Sequence, residues 1–87
     1  MLFISMCKAY AEREMNRMKT IFQSLEPVDH EFYRFAENYY KDGLHFFEKE
    51  MFPEAFEAFI ISWAYLDVCL KLGIINVPDE LRHYFTV

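Results

Sequence analysis

The chain has 87 residues, 54% of them apolar and 20% aromatic, and a net charge of −5. That length makes one domain, and a domain this small hides only roughly 60–65% of its unfolded surface, so its core must be dense. An acidic protein without a basic cluster is a poor match to a phosphate backbone, and no run of about 18 apolar residues is present to cross a membrane.

The first helix is expected over about residues 5–25. Ile4, Cys7, Ala11, Met15, Met18, Phe22 and Leu25 recur every three or four residues and form one seam. Glu12, Arg13, Asn16, Lys19, Thr20 and Gln23 make the polar back. Residues 1–25 carry +2 while residues 26–67 carry −7. Arg13 and Arg17, one turn apart, could meet a phosphate, but such a pair ordinarily belongs to a solvated face. Met6, Met15 and Met18 suit gap-filling in a core.

Pro27 ends the first pattern, and Asp29 is the expected N-cap of a second helix over about residues 30–48. Its wheel separates cleanly. Phe32, Tyr33, Phe35, Ala36, Tyr39, Tyr40, Gly43, Leu44, Phe46 and Phe47 share one half, with charged and polar residues on the other. Gly43 in the middle of the apolar half costs roughly 1 kcal/mol relative to Ala, which a close approach of another helix would explain.

A short connection, too short for anything but an antiparallel hairpin, leads to a third helix over about residues 53–72. Pro53 opens it and Gly73 closes it. Ala55, Phe56, Ala58, Phe59, Trp63, Leu66, Cys69 and Leu70 occupy one broad face, and Ile61, Tyr65, Val68 and Leu72 form a second stripe. A helix this apolar needs cover on more than one side. After Gly73, Pro78 with Asp79 and Glu80 behind it suits a short helix over about residues 79–85. This tail is the best element within the chain to lie over the second stripe. The expected fold is therefore all-α: an antiparallel three-helix bundle with a short C-terminal helical tail.

Reactive chemistry is sparse. His30, His45 and His83 form no HExxH or zinc spacing. Asp42 and His45 share the polar half of their helix, away from any interior site. Glu48, Glu50, Glu54 and Glu57 read as a solvated acidic rim. With two glycines in the chain there is no phosphate loop. Cys7 and Cys69 fall at apolar helical positions and read as small buried hydrophobes. No catalytic residue, metal or cofactor is expected. The N-terminal MLFISMCK lacks the features of a signal sequence, so the expected compartment is the cytosol.

Asp67 is the polar residue that stands out. It borders the buried face, one turn from Trp63 and one turn before Lys71. It is either half of an i,i+4 pair with Lys71 or a buried carboxylate, hydrogen-bonded to another helix or to Trp63, that fixes the packing register.

The run Ala55–Ile74, ending Trp63-Ala64-Tyr65-Leu66-Asp67-Val68-Cys69-Leu70-Lys71-Leu72-Gly73-Ile74, resembles the archaeal domain-of-unknown-function family 357. That family has an alanine-rich helix ending in Leu-Asp, followed by Leu-Gly and an aliphatic residue. Leu66, Asp67, Leu72 and Gly73 fit those positions. Tyr65 stands in place of Trp, Ala64 and Cys69 in place of small glycines, and Glu50-Met51 in place of a Gly-Asp turn. The resemblance implies a three-helix bundle and an archaeal cytosolic protein, and it brings no catalytic residues. Residues 39–72 are also similar to a single tetratricopeptide unit, but no second unit follows. A further likeness, to the helical nucleotide- and RNA-associated HEPN class, lacks the ribonuclease spacing, since no Arg here has a His five positions later.

Together these observations point to a non-enzymatic protein–protein interaction or self-association module. Ile61, Tyr65, Val68 and Leu72 are its candidate interaction stripe, a protein partner or second copy of the chain is expected, and nucleic acid and membrane are not. The alternative is a nucleotide- or RNA-associated helical domain of the HEPN-like type without the ribonuclease motif.

Overall fold

The computed structural model describes residues 2–86, with the side chains of Leu2 and Ile4 outside that description, and the Ile4 end of the first seam lies there too. Three helices, α1 (Leu2–Ser24), α2 (Glu31–Glu48) and α3 (Phe52–Lys71), run up, down and up, and a 3-10 segment (Asp79–Tyr84) follows. Cross-helix pairs fix the directions. Gly43 meets Phe59, the Ala36 carbonyl meets Ser62 and Phe32 meets Tyr65, so α2 and α3 are antiparallel. Tyr10 meets Phe56 and Arg17 meets Trp63, so α1 and α3 are parallel. α3 packs extensively on both neighbours, while α1 and α2 meet chiefly through Phe22, whose ring stacks on Tyr40 at 4.8 Å and lies edge-on to Tyr33 at 6.1 Å. α3 is the spine of the bundle.

The backbone chemistry at the helix ends follows the sequence closely, with one correction. The N-cap of α2 is His30, not Asp29: its Nδ1 accepts the Phe32 N–H at 3.0 Å, satisfying a donor the helix itself cannot. Asp29 instead pairs with Arg34, out in solvent. The C-termini of α2 and α3 close by the same device. After α3, Gly73 at φ 73° donates to the Leu70 carbonyl (3.1 Å) and Ile74 to the Cys69 carbonyl (2.8 Å), the paired bonds of a Schellman motif. After α2, Glu50 donates to Phe47 (3.0 Å) and Met51 to Phe46 (2.9 Å), with Glu50 held at φ 60°. A non-glycine residue in that left-handed conformation carries a steric cost. It lies where the family resemblance has a glycine.

The close approach that Gly43 suggests is present: the ring of Phe59 fills the space a Cβ would need, and Phe59 itself is fully buried. One turn further along α3, Ser62 is also fully buried and donates its hydroxyl to the Ala36 carbonyl at 2.6 Å. These two contacts pin the α2–α3 register from opposite sides of one turn. On α1 the buried line is Ala11, Glu14, Met18, Ile21 and Leu25, with Cys7, Met15 and Phe22 at its shoulder. The seam expected from spacing alone missed Glu14 and Ile21. The tail adds cover near Glu14, where Tyr84 borders the same recess as Arg17 and Thr20, and residues 74–78 border a recess with Ser24, Glu26 and Val28 beyond the end of α1.

The tail itself is 3-10 rather than α-helical. Leu81 donates to the Pro78 carbonyl (2.9 Å) and Phe85 to that of Arg82 (3.0 Å), both three residues back. Six residues starting behind a proline are too few to propagate an α-helix, and the tighter helix suits so short a piece. Ile75, Val77, Leu81 and Phe85 are buried, so the tail contributes to the core. It does so on the far side of α3 from the second stripe. Its anchors are Trp63 and Asp67, roughly half a turn away from Ile61, Tyr65, Val68 and Leu72. The expectation that the tail would cover that stripe is therefore corrected.

Candidate interaction surface

With α1, α2 and the tail in place, α3 keeps one side open to solvent. Glu57, Ala64, Val68, Lys71 and Leu72 are exposed along it, and Ile60 and Ile61 are half-buried. Val68 is 41% and Leu72 63% accessible, large values for aliphatic side chains on a central helix. Of the four residues in the candidate stripe, Tyr65 is half-buried against α2. It meets the rings of Phe35 (5.4 Å), Tyr39 (6.0 Å, stacked) and Phe32 (6.2 Å), closing the α2 edge. Ile61 borders a groove, and Val68 and Leu72 stand free.

That groove, of about 490 Å³, runs between the first turns of α1 and α3. Phe3, Met6 and Tyr10 form one bank and Pro53, Phe56, Ile60 and Ile61 the other, with Glu57 its one carboxylate. Phe3, Met6 and Tyr10 are each close to half exposed or more. The apolar surface of α3 therefore continues onto α1, with Glu57 the one charged side chain in the groove between them.

The adjoining flank of α3 holds a clasp. Trp63 donates its indole N–H to the Tyr84 carbonyl at 2.7 Å, with its ring stacked on Phe85 at 6.5 Å and under Arg17 at 5.9 Å. Asp67 is buried and accepts from Thr86 twice, from the backbone N–H (2.9 Å) and from the hydroxyl (2.7 Å). Lys71 lies 3.2 Å from the same carboxylate. The helical pair with Lys71 is present, and the other bonds of the carboxylate go to Thr86 in the tail, not to another helix or to Trp63. Burial pushes the Asp67 carboxyl up, but the Thr86 bonds and the Lys71 ammonium together outweigh it and hold the group below its ordinary value.

Glu14 is the buried charge that sequence reading overlooked. It sits between Arg13 (3.4 Å) and Arg17, under Tyr84. The arginine pair is consequently committed to an internal carboxylate and an indole ring, and its partly enclosed recess is an ion cluster with its own counter-charge. The sequence carries a signal of it: Glu14 is three and four residues from Ala11 and Met18, inside the apolar line rather than on the polar back.

Other titrating groups belong to packing. Tyr33 is pushed up by burial and then by Glu37 and Cys69, and Tyr40 and Cys69 by burial. His45 and His83 are exposed, and His30 is used as a cap. Among the described residues no three His, Cys, Asp or Glu side chains gather as metal ligands, and no helix is long and apolar enough to cross a membrane.

A small all-α bundle with a free apolar flank on its spine is the class these observations define. A family model described as a protein of unknown function, DUF357, matches residues 9–75, and the chain belongs to that family. The matched region runs from α1 past Gly73 and includes Asp67, while its partner Thr86 lies beyond it. No curated protein and no solved structure matches the chain.

Proposed function

We propose that this protein is a non-enzymatic interaction module that presents the outer side of α3 to another protein surface. The observation that carries this reading is the free apolar line Ile60, Ile61, Ala64, Val68 and Leu72, continuous with Phe3, Met6 and Tyr10 on α1. Apolar patches of this continuity on small domains mark association sites. An aliphatic helix in a groove is one way such a patch is filled. The module itself performs no reaction in this reading. Its shifted groups are Tyr33, Tyr40 and Cys69, raised chiefly by burial, and a carboxylate occupied by Thr86 and Lys71, each of them taken up in packing. A cytosolic setting is supported by the two free cysteines, and an archaeal one by the family resemblance.

Site-specific photo-crosslinking tests the reading. A photoreactive side chain at Val68 or Leu72 is expected to give covalent adducts heavier than the chain in the native host, and the same probe at the solvent-facing Gln23 to give none. If the α3 positions gave no more adduct than Gln23, the reading would be lost.

A further inference from the structure

The outer side of α3 has an internal symmetry. Counting from Ala64, Ile60 and Val68 stand four residues away on either side, and Glu57 and Lys71 seven. All but the half-buried Ile60 are exposed. Four and seven are the spacings that return to one side of a helix, so these five residues lie on a single line. The line reads acid, aliphatic, small, aliphatic, base.

We infer that a second copy of this chain packs on that line, its α3 antiparallel to the first and the two-fold axis passing by Ala64. This deepens the reading above by naming the partner, and it rests on that reading. In a two-fold contact each residue n places before the axis meets the residue n places after it in the other copy. Ile60 then packs on Val68 of the second copy, and Glu57 lies against Lys71 of the second copy, twice over. The charges also select the direction. A parallel arrangement in register would set Glu57 against Glu57 and Lys71 against Lys71, and like charges across an interface are unfavourable. Ala64 at the crossing point leaves room for the helices to approach to about 8–10 Å.

The rest of the molecule is compatible with this contact. The tail is fastened at Trp63 and Asp67, leaving Ala64, Val68 and Lys71 accessible. Lys71 is half exposed while paired with Asp67, and Glu57 has no ion-pair partner among the described residues. A 20-residue helix about 30 Å long and about 10 Å wide offers a strip on the order of 300 Å², to which the adjoining Phe3, Met6 and Tyr10 add apolar surface. That is below the roughly 800 Å² per partner of ordinary specific interfaces, so a weak, concentration-dependent dimer is the expectation.

Sedimentation equilibrium of the full chain over a concentration range, read alongside a charge-exchange cycle, tests it. Glu57→Lys comes first because it disturbs no internal ion pair. It replaces two attractive pairs by two repulsive ones and should weaken the dimer at least tenfold. Adding Lys71→Glu to the same chain restores both pairs in reversed polarity but also sets a second carboxylate beside Asp67, so part of that loss should be recovered in a chain whose circular dichroism matches the parent. Ala64→Trp, at an exposed site, should abolish the dimer. A chain that stays monomeric up to hundreds of micromolar overturns the inference, as does a dimer indifferent to Glu57→Lys or one not recovered by the exchange in a chain that keeps its fold. If the chain is monomeric while probes at Val68 still trap a different protein, the second copy is ruled out and the interaction module stands. If neither is seen, both fall.

Discussion

Thr86 donates both its backbone N–H and its hydroxyl to the two oxygens of Asp67, at 2.9 and 2.7 Å. The pair joins the end of the tail to the spine across 19 residues, and it works through a charged acceptor, for which each hydrogen bond contributes about 1.5–3 kcal/mol. Asp67→Ala should therefore lower the unfolding free energy by about 2–3 kcal/mol, and Thr86→Val by about 1 kcal/mol. Urea denaturation of both single variants and the double measures the coupling. Strict additivity would mean the contact contributes nothing.

The same carboxylate sets an acid limit. An unfolded Asp titrates near ~3.9, and in the native state the Asp67 carboxyl lies lower, so over that interval the unfolded chain binds more protons. Its contribution is complete above about pH 5 and is lost as the pH falls through the native value. The difference in urea midpoint between the parent and Asp67→Asn should accordingly narrow from pH 7 to pH 3. A difference that widened on acidification would contradict the sign.

Gly43→Ala offers a test of the α2–α3 approach. Alanine raises helix propensity by about 1 kcal/mol, yet its Cβ would fall 2.6 Å from Cδ1 of the fully buried Phe59. Overpacking of this kind costs about 1–3 kcal/mol, so a net loss of stability is expected despite the better helix former. Phe59→Leu combined with Gly43→Ala should recover part of it. A stabilised Gly43→Ala would show that the two helices separate freely there.

Glu50→Gly should act in the opposite direction. Glu50 is held at φ 60° with its N–H engaged by the Phe47 carbonyl, a conformation glycine adopts without the Cβ penalty. A gain of about 0.5–1 kcal/mol, or a few degrees in Tm, is expected. Differential scanning calorimetry reads it directly, and an unchanged or lower Tm would reject it.

The three helices were legible because their apolar spacing is regular and Pro27, Pro53 and Gly73 mark their ends. Gly43 also gave itself away, since a glycine on an apolar face needs a neighbour's bulk to justify it. Asp67 stood out as a carboxylate on the border of a greasy side. What spacing could not supply was the choice between two similar apolar flanks of α3 for the tail. Hydrogen bonding decided that: the Trp63 indole and the Asp67 carboxylate, both on the flank that loses water, require partners, and Tyr84 and Thr86 supply them. Glu14 was missed for a related reason, because its burial depends on a tail that packs beside α1 only once the whole chain is assembled. His30 capped α2 where Asp29 was expected, a difference of one residue that backbone geometry settles.

A spine on which both other helices rest has a kinetic meaning. The hairpin of α2 and α3 is made from neighbouring stretches of chain joined by three residues, so it closes at small entropic cost. α1 rests mainly on α3 and reaches α2 chiefly through Phe22, so it docks best on the finished hairpin. Truncations at Phe59 should then slow folding, while truncations at Met18 should mainly hasten unfolding. The order of assembly would run from the middle of the chain outward.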